Sequence, residues 1–94
     1  MIKIDFNEIK QREIVWNFHY KSGSYFYETT ENNISYKATL YRYGAEYNLK
    51  IVSYNNISKK QPLIHVHYGL KLMQKIEEAT KLMNKHMDSK LVFI

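Results

Sequence analysis

The stretch "YKATLYRYGAEYNLKIVSY", Tyr36 to Tyr54, holds five of the nine tyrosines in this 94-residue chain. On both sides of Gly44-Ala45 its apolar residues recur at every second position, the period of a strand and not of a helix. Glycine in the first position of a two-residue loop suits a type II′ hairpin. Such a loop sets Leu40 opposite Leu49 and Ala38 opposite Ile51, which makes one face of the hairpin apolar. Two antiparallel strands follow, Ile34 to Tyr43 and Glu46 to Tyr54.

Working towards the N-terminus, the same alternation continues. An Asn32-Asn33 turn places a strand over Tyr25 to Thr30 and sets Glu28 opposite Lys37, a favourable cross-strand pair. "KSGS", with Gly23 supplying positive φ, turns the chain again. A first strand then covers Glu13 to Tyr20, and a Ser22-Gly23 loop sets Phe18 opposite Tyr27. All these registers put the apolar sets on one face, so a four-stranded antiparallel meander is expected over about 13–54.

Towards the C-terminus the period changes. From about Gly69 to Met87, Leu72, Met73, Ile76, Ala79, Met83 and Met87 fall on one helical stripe, with lysines on the far side. One long helix is expected to lie across the apolar sheet face and seal a single α+β domain over residues 1–94. At the chain ends, Ile2, Ile4 and Phe6 read as a short strand, or Asp5 and Glu8 as a helix cap. "LVFI" reads as a short strand or a docked apolar tail.

Composition narrows the classes. Hydrophobic residues make up 45% and charged residues 24%, the profile of a globular chain. There is no cysteine, which excludes disulfides and thiolate zinc sites and fits a reducing cytosol. No apolar run approaches the ~20 residues of a membrane span. The first ten residues lack the apolar core of a signal peptide. A net charge of +5 and a pI of about 9.4 permit contact with nucleic acid or an acidic protein surface.

Three features bear on chemistry. His65-Val66-His67 would point two imidazoles the same way from a strand, and a metal site would need a third ligand such as His86, His19, Glu77 or Glu78. The pattern resembles the His-hydrophobic-His signature of rolling-circle nucleases, whose nucleophilic tyrosine lies on a helix well downstream. Here the one later tyrosine is Tyr68, beside the pair. Glu77 and Glu78 diverge by about 100° on a helix and cannot clasp one substrate. No nucleophile elbow, phosphate-binding loop, dinucleotide-binding glycine pattern or deaminase signature occurs. The expectation is a chain that is not an enzyme and needs no cofactor or metal.

The second feature is a basic ridge of Lys71, Lys75, Lys81 and Lys85, extended by Lys59 and Lys60. Leu82 lies beside it as a candidate exposed contact. The third is the division of the tyrosines. The registers turn Tyr20, Tyr25, Tyr27, Tyr36 and Tyr47 inward with Trp16, Phe18, Leu40, Leu49 and Ile51. They turn Phe26, Tyr41, Tyr43 and Tyr54 outward with His19, Lys37, Asn48 and Lys50. Exposed rings beside lysines can stack bases or anchor a protein interface.

A four-strand meander followed by a long helix resembles, in order of elements, the single-strand-binding folds of the Whirly and PC-type coactivator families. A short, cysteine-free domain rich in Asn, Lys, Ile and Tyr also resembles, as a type, the small proteins of phages and mobile elements in low-GC bacteria, anti-CRISPRs among them. That resemblance implies a rigid binder that blocks a host nuclease complex. The expected function is a non-catalytic interaction protein that covers a binding site on a host-defence or nucleic-acid-processing complex, a protein assembly or ribonucleoprotein. Its expected surface is Phe26, Lys37, Tyr41, Tyr43, Lys50 and Tyr54, with the lysine ridge second. The alternatives are a single-stranded nucleic-acid-binding domain using the same face, a homodimer through that face, and a metal-dependent nuclease through His65 and His67.

Overall fold

The computed structural model describes residues 12–58 and 60–89. The strand-or-cap readings of Ile2 to Glu8, the "LVFI" tail and Lys59 lie outside them. The described chain forms an α+β domain: β1 (Asn17–His19), β2 (Ser24–Glu31), β3 (Ile34–Tyr43), β4 (Glu46–Asn55), β5 (Leu63–Leu70), a 3-10 turn (Leu72–Gln74) and α1 (Lys75–Asp88). The strands lie in sequence order in one antiparallel sheet, a five-stranded meander with β1 and β5 at its edges.

Two turns behave as their residues require. Gly44 has φ +65° as the first loop residue, and Tyr43 pairs with Glu46, so Leu40 faces Leu49 and Ala38 faces Ile51. Asn32 and Asn33 both adopt positive φ, +50° and +64°, as a type I′ turn needs, and Glu28 faces Lys37. The first hairpin differs from the expected register. His19 pairs with Ser24, so four residues form the loop, and Phe18 faces Tyr25 instead of Tyr27. Gly23, at φ +68°, returns its N–H to the His19 carbonyl at 2.8 Å, closing a wider turn than a two-residue loop. The slip is two residues, an even number, so every side chain keeps its face.

β1 is also shorter than the alternation implies. Beyond Asn17 the chain leaves the sheet edge and runs towards α1. Ile14 and Trp16 still pack on the core, and Trp16 Nε1 donates to Thr80 Oγ1 of α1 at 3.0 Å. Segment 12–16 therefore closes the core beside β2, while α1 packs against β4 and β5.

The meander carries a fifth strand that the expected four omit. Residues 63–70 extend the sheet at β4, and the strand ends in a bulge: Leu49 pairs with His67 but Tyr47 pairs with Leu70. Gly69, at φ +75°, takes up the extra residue and donates its N–H to Asn48 Oδ1 at 3.3 Å. The bulge returns Leu70 to the core side, where it is buried. It also corrects the placement of Asn48, which is 5% exposed and engaged by the bulge instead of standing on an open face.

The core is Tyr36, Ala38, Leu40, Tyr47, Leu49, Ile51 and Leu70 from the sheet, against Ala79, Met83 and Met87 from the helix. Spacing of three and four along α1 builds that face. The helix begins later than expected: Gly69 and Leu70 belong to β5, and Leu72 and Met73 lie in the 3-10 turn, Met73 92% exposed. Phe18 lies on β1, at the sheet edge opposite the strands that α1 packs against, and Tyr20 lies in the loop after β1; both were expected inward and are 56% and 77% exposed. No helix among the described residues is long and apolar enough to cross a membrane.

Candidate functional site

The sheet has one face under α1 and segment 12–16, and one face that no other described element covers. Cross-strand rows build the uncovered face: Phe26, Thr39, Lys50 and Val66, then Glu28, Lys37, Val52 and Ile64, then Thr30, Ser35 and Tyr54. The structure therefore brings Phe26, Lys37, Lys50 and Tyr54 together on this face. Phe26 and Tyr41 are half-buried among neighbouring side chains. Tyr54 is 43% exposed, and Tyr43 stands 73% exposed near the Gly44 turn.

Sequence reasoning put His65 and His67 on a strand without joining that strand to the sheet. In "PLIHVHYGL" the signal is the alternation of Ile64, Val66 and Tyr68 with His65 and His67. The alternation is inverted relative to an ordinary two-layer domain. Ile64 and Val66 lie on the uncovered face beside Val52 and Lys50, whereas His65 and His67 point towards the helix side. Ile64 is 61% exposed, and Tyr68, next along the strand, is also open to solvent.

The charges on the uncovered face nearly cancel. Lys37 and Lys50 are matched by Glu28 and Glu46, and Lys37 Nζ lies 3.8 Å from Glu28 Oε1 with both side chains exposed. An exposed pair of this kind contributes little to stability.

The lysines expected to form a ridge do not share one surface. Lys60, Lys71, Lys81 and Lys85 are exposed, but Lys75 is half-buried. Its ammonium lies 4.9 Å from the ring centroid of Tyr47 and 5.8 Å from that of Tyr25, a cation–π contact at the core rim. Lys71 precedes α1 altogether. Leu82, expected as an exposed contact, is half-buried against the core.

On the helix side of β5 a second cluster forms. The His65 and His67 rings lie with centroids 4.5 Å apart and planes inclined at 60°, and α1 brings His86 to 5.9 Å from His65. The helix, and not sequence spacing, supplies the third imidazole. His86 Nε2 and Ser53 Oγ share a 3.0 Å hydrogen bond, and the His86 and Tyr36 rings meet nearly perpendicular with centroids 6.0 Å apart. Burial first, then His65 and Lys85, lower the pKa of His67; burial first, then His65 and His67, lower that of His86. These three histidines, Leu82, Lys85 and Ser89 line a cleft of ≈ 300 Å³. As placed, no three His, Asp or Glu side chains among the described residues form a group that could hold a metal ion.

No protein-family model matches the chain, and no curated protein or solved structure is significantly similar to it.

Proposed function

We propose that this is a non-catalytic interaction protein whose uncovered sheet face docks on a protein surface. The observation that carries the reading is the inverted edge strand. β5 directs Ile64 and Val66 away from the core and onto the face that already holds Val52, Tyr54 and Phe26. Burying one such aliphatic side chain is worth about 1.5–3 kcal/mol, so leaving Ile64 in water forgoes stability that a partner would recover. Aromatic and aliphatic anchors with few net charges are the composition of an interface centre.

The charge balance favours a protein partner over single-stranded nucleic acid. A phosphate-tracking surface needs a surplus of cations, whereas here two lysines stand beside two glutamates. Such a binder would act by occupying its partner's working surface, as the resemblance to small phage inhibitors implies.

The test is a pull-down from host lysate with and without nuclease, using the wild-type chain and a Tyr54→Ala/Ile64→Ser variant. The expected result is a stoichiometric protein complex that survives nuclease and is lost in the variant, with circular dichroism unchanged. Loss on nuclease treatment, together with a salt-sensitive shift of labelled single-stranded DNA, would replace this reading with the nucleic-acid one. A wild-type dimer that the variant converts to a monomer in light scattering would show that the face binds a second copy instead.

A further inference from the structure

The cleft between β5 and α1 lies on the opposite side of the sheet from the surface just described, and its chemistry is different. Three imidazoles and one ammonium line it, and among the described residues no carboxylate does. Among the described residues the ion pairs join Arg12 with Glu31 and Asp88, and Lys37 with Glu28. None reaches Lys85, His65 or His67. Among the described residues, groups that can carry positive charge are thus gathered without a counter-charge, and burial first, then that crowding, lowers the pKa values of His67 and His86. Proteins that concentrate cationic groups in a concave site commonly do so around an anion.

We propose that this cleft is an oxyanion site that takes a phosphate-class tetrahedral anion between Lys85 and the His65–His67 pair. Lys85 supplies a permanent charge, and His65 and His67 each present ring nitrogens from one strand face. His86 sits behind them, held by Ser53 at 3.0 Å, and Leu82 forms an apolar wall for whatever carries the anion. Ser89 is lining and not a donor, because its hydroxyl gives its proton to the His86 carbonyl at 2.6 Å. That bond, with the Ser89 N–H on the same carbonyl at 3.2 Å, occupies one of the last-turn carbonyls, whose partial negative charge opposes an anion.

A divalent metal ion is the competing occupant. Two features weigh against it: Lys85 would repel it, and His86 Nε2 is already engaged by Ser53. Anion binding is instead linked to proton uptake, since a bound dianion favours the imidazolium forms. Tyr36 from β3 and Ser53 from β4 are the other polar groups facing His86, and neither is charged at neutral pH.

The experiment titrates sulfate, a dianion across the whole range, against chloride at matched ionic strength, reading the histidine ring signals by NMR at pH 8 and pH 6. The expected result is saturable shifts at His65 and His67 in sulfate. Affinity should rise as pH falls, by at most about tenfold per pH unit for each proton taken up. Lys85→Ala should abolish saturation, while Lys81→Ala, one turn away and exposed, should leave it intact. Equal shifts in chloride, or equal losses in the two lysine variants, would reduce the effect to screening and overturn the proposal. So would equimolar Zn²⁺ that moves all three histidines and blocks sulfate, because the cleft would then be a metal site.

Discussion

Asn84, buried on the core side of α1, grips the backbone of Arg12 across 72 positions of sequence. Its Oδ1 accepts the Arg12 N–H at 2.9 Å, and its Nδ2 donates to the Arg12 carbonyl at 3.5 Å and to the Thr80 carbonyl at 3.1 Å. A carboxamide offers one acceptor and two donors, so it completes the backbone of a segment that has left the sheet. Asn84→Ala would leave the Arg12 N–H without this partner in a part-buried site. A loss of about 1–3 kcal/mol is expected in urea unfolding. Asn84→Leu should fail to restore it, although it adds apolar volume. Wild-type stability in the leucine variant would show that the carboxamide contributes only packing.

Arg12 also ties the end of β2 to the end of α1. Its guanidinium pairs with both Glu31 oxygens and reaches Asp88 Oδ1 at 2.9 Å, with its side chain only 9% exposed. The two carboxylates hold the guanidinium pKa above its ordinary value, the Glu31 hydrogen bond contributing most. Arg12→Lys keeps the charge but not the fork. It is expected to lose about 1–2 kcal/mol, and Arg12→Ala more. A double-mutant cycle with Asp88→Asn checks the coupling, which should persist in 0.5 M NaCl because the groups are partly buried.

Gly69→Ala tests the bulge. A Cβ at this position would lie 2.9 Å from Glu46 Oε2, which a flexible side chain can yield, but φ +75° remains strained for alanine. The expected cost is about 1–2 kcal/mol. Hydrogen exchange should show faster opening at the Leu70 end of β5 than at Leu63. Unaltered exchange would mean that the bulge does not depend on glycine.

Acid should weaken the fold through the histidine cluster. His67 and His86 have folded pKa values below the unfolded value of about 6.5. Between the folded and unfolded values the unfolded chain binds more protons, so stability rises with pH through that window. It is complete above about pH 6.5 and is lost as pH falls from there towards the folded values. Thermal unfolding in chloride buffer at pH 7.5 and 5.0 should show this fall. A His67→Gln/His86→Gln variant should show a flatter profile. If it loses as much as wild type, other groups cause the acid sensitivity.

The turns show how much local chemistry decides. Asn32-Asn33 and Gly44-Ala45 each set φ within the loop, and a two-residue loop leaves one register for the strands that follow. That is why the pairs Leu40–Leu49, Ala38–Ile51 and Glu28–Lys37 were legible from the chain, and with them the inward placement of Tyr36 and Tyr47. The first hairpin was less legible because Gly23 suits two loop lengths equally well. An even slip between them costs no change of face, so periodicity could not choose.

The candidate sites divide in the same way. Residues on β2, β3 and β4 could be assigned to the uncovered face by parity alone, since side chains alternate strictly along a strand. Parity says nothing of which strands α1 covers, and so Phe18 and Tyr20 were expected to turn inward at the core or its rim. Nor could it place Lys75, whose ammonium lies over Tyr47 only because the helix crosses the sheet there. The sequence by itself determined the meander, its central registers and the amphipathic helix, because these follow from local turn geometry and period. The tertiary structure decided that β5 joins the sheet with its apolar side outward, and that His86 meets His65 and His67. It also decided that Asn84 holds Arg12. Each of these relations is set by the packing of elements distant in sequence, and no local preference encodes where a helix side chain will land.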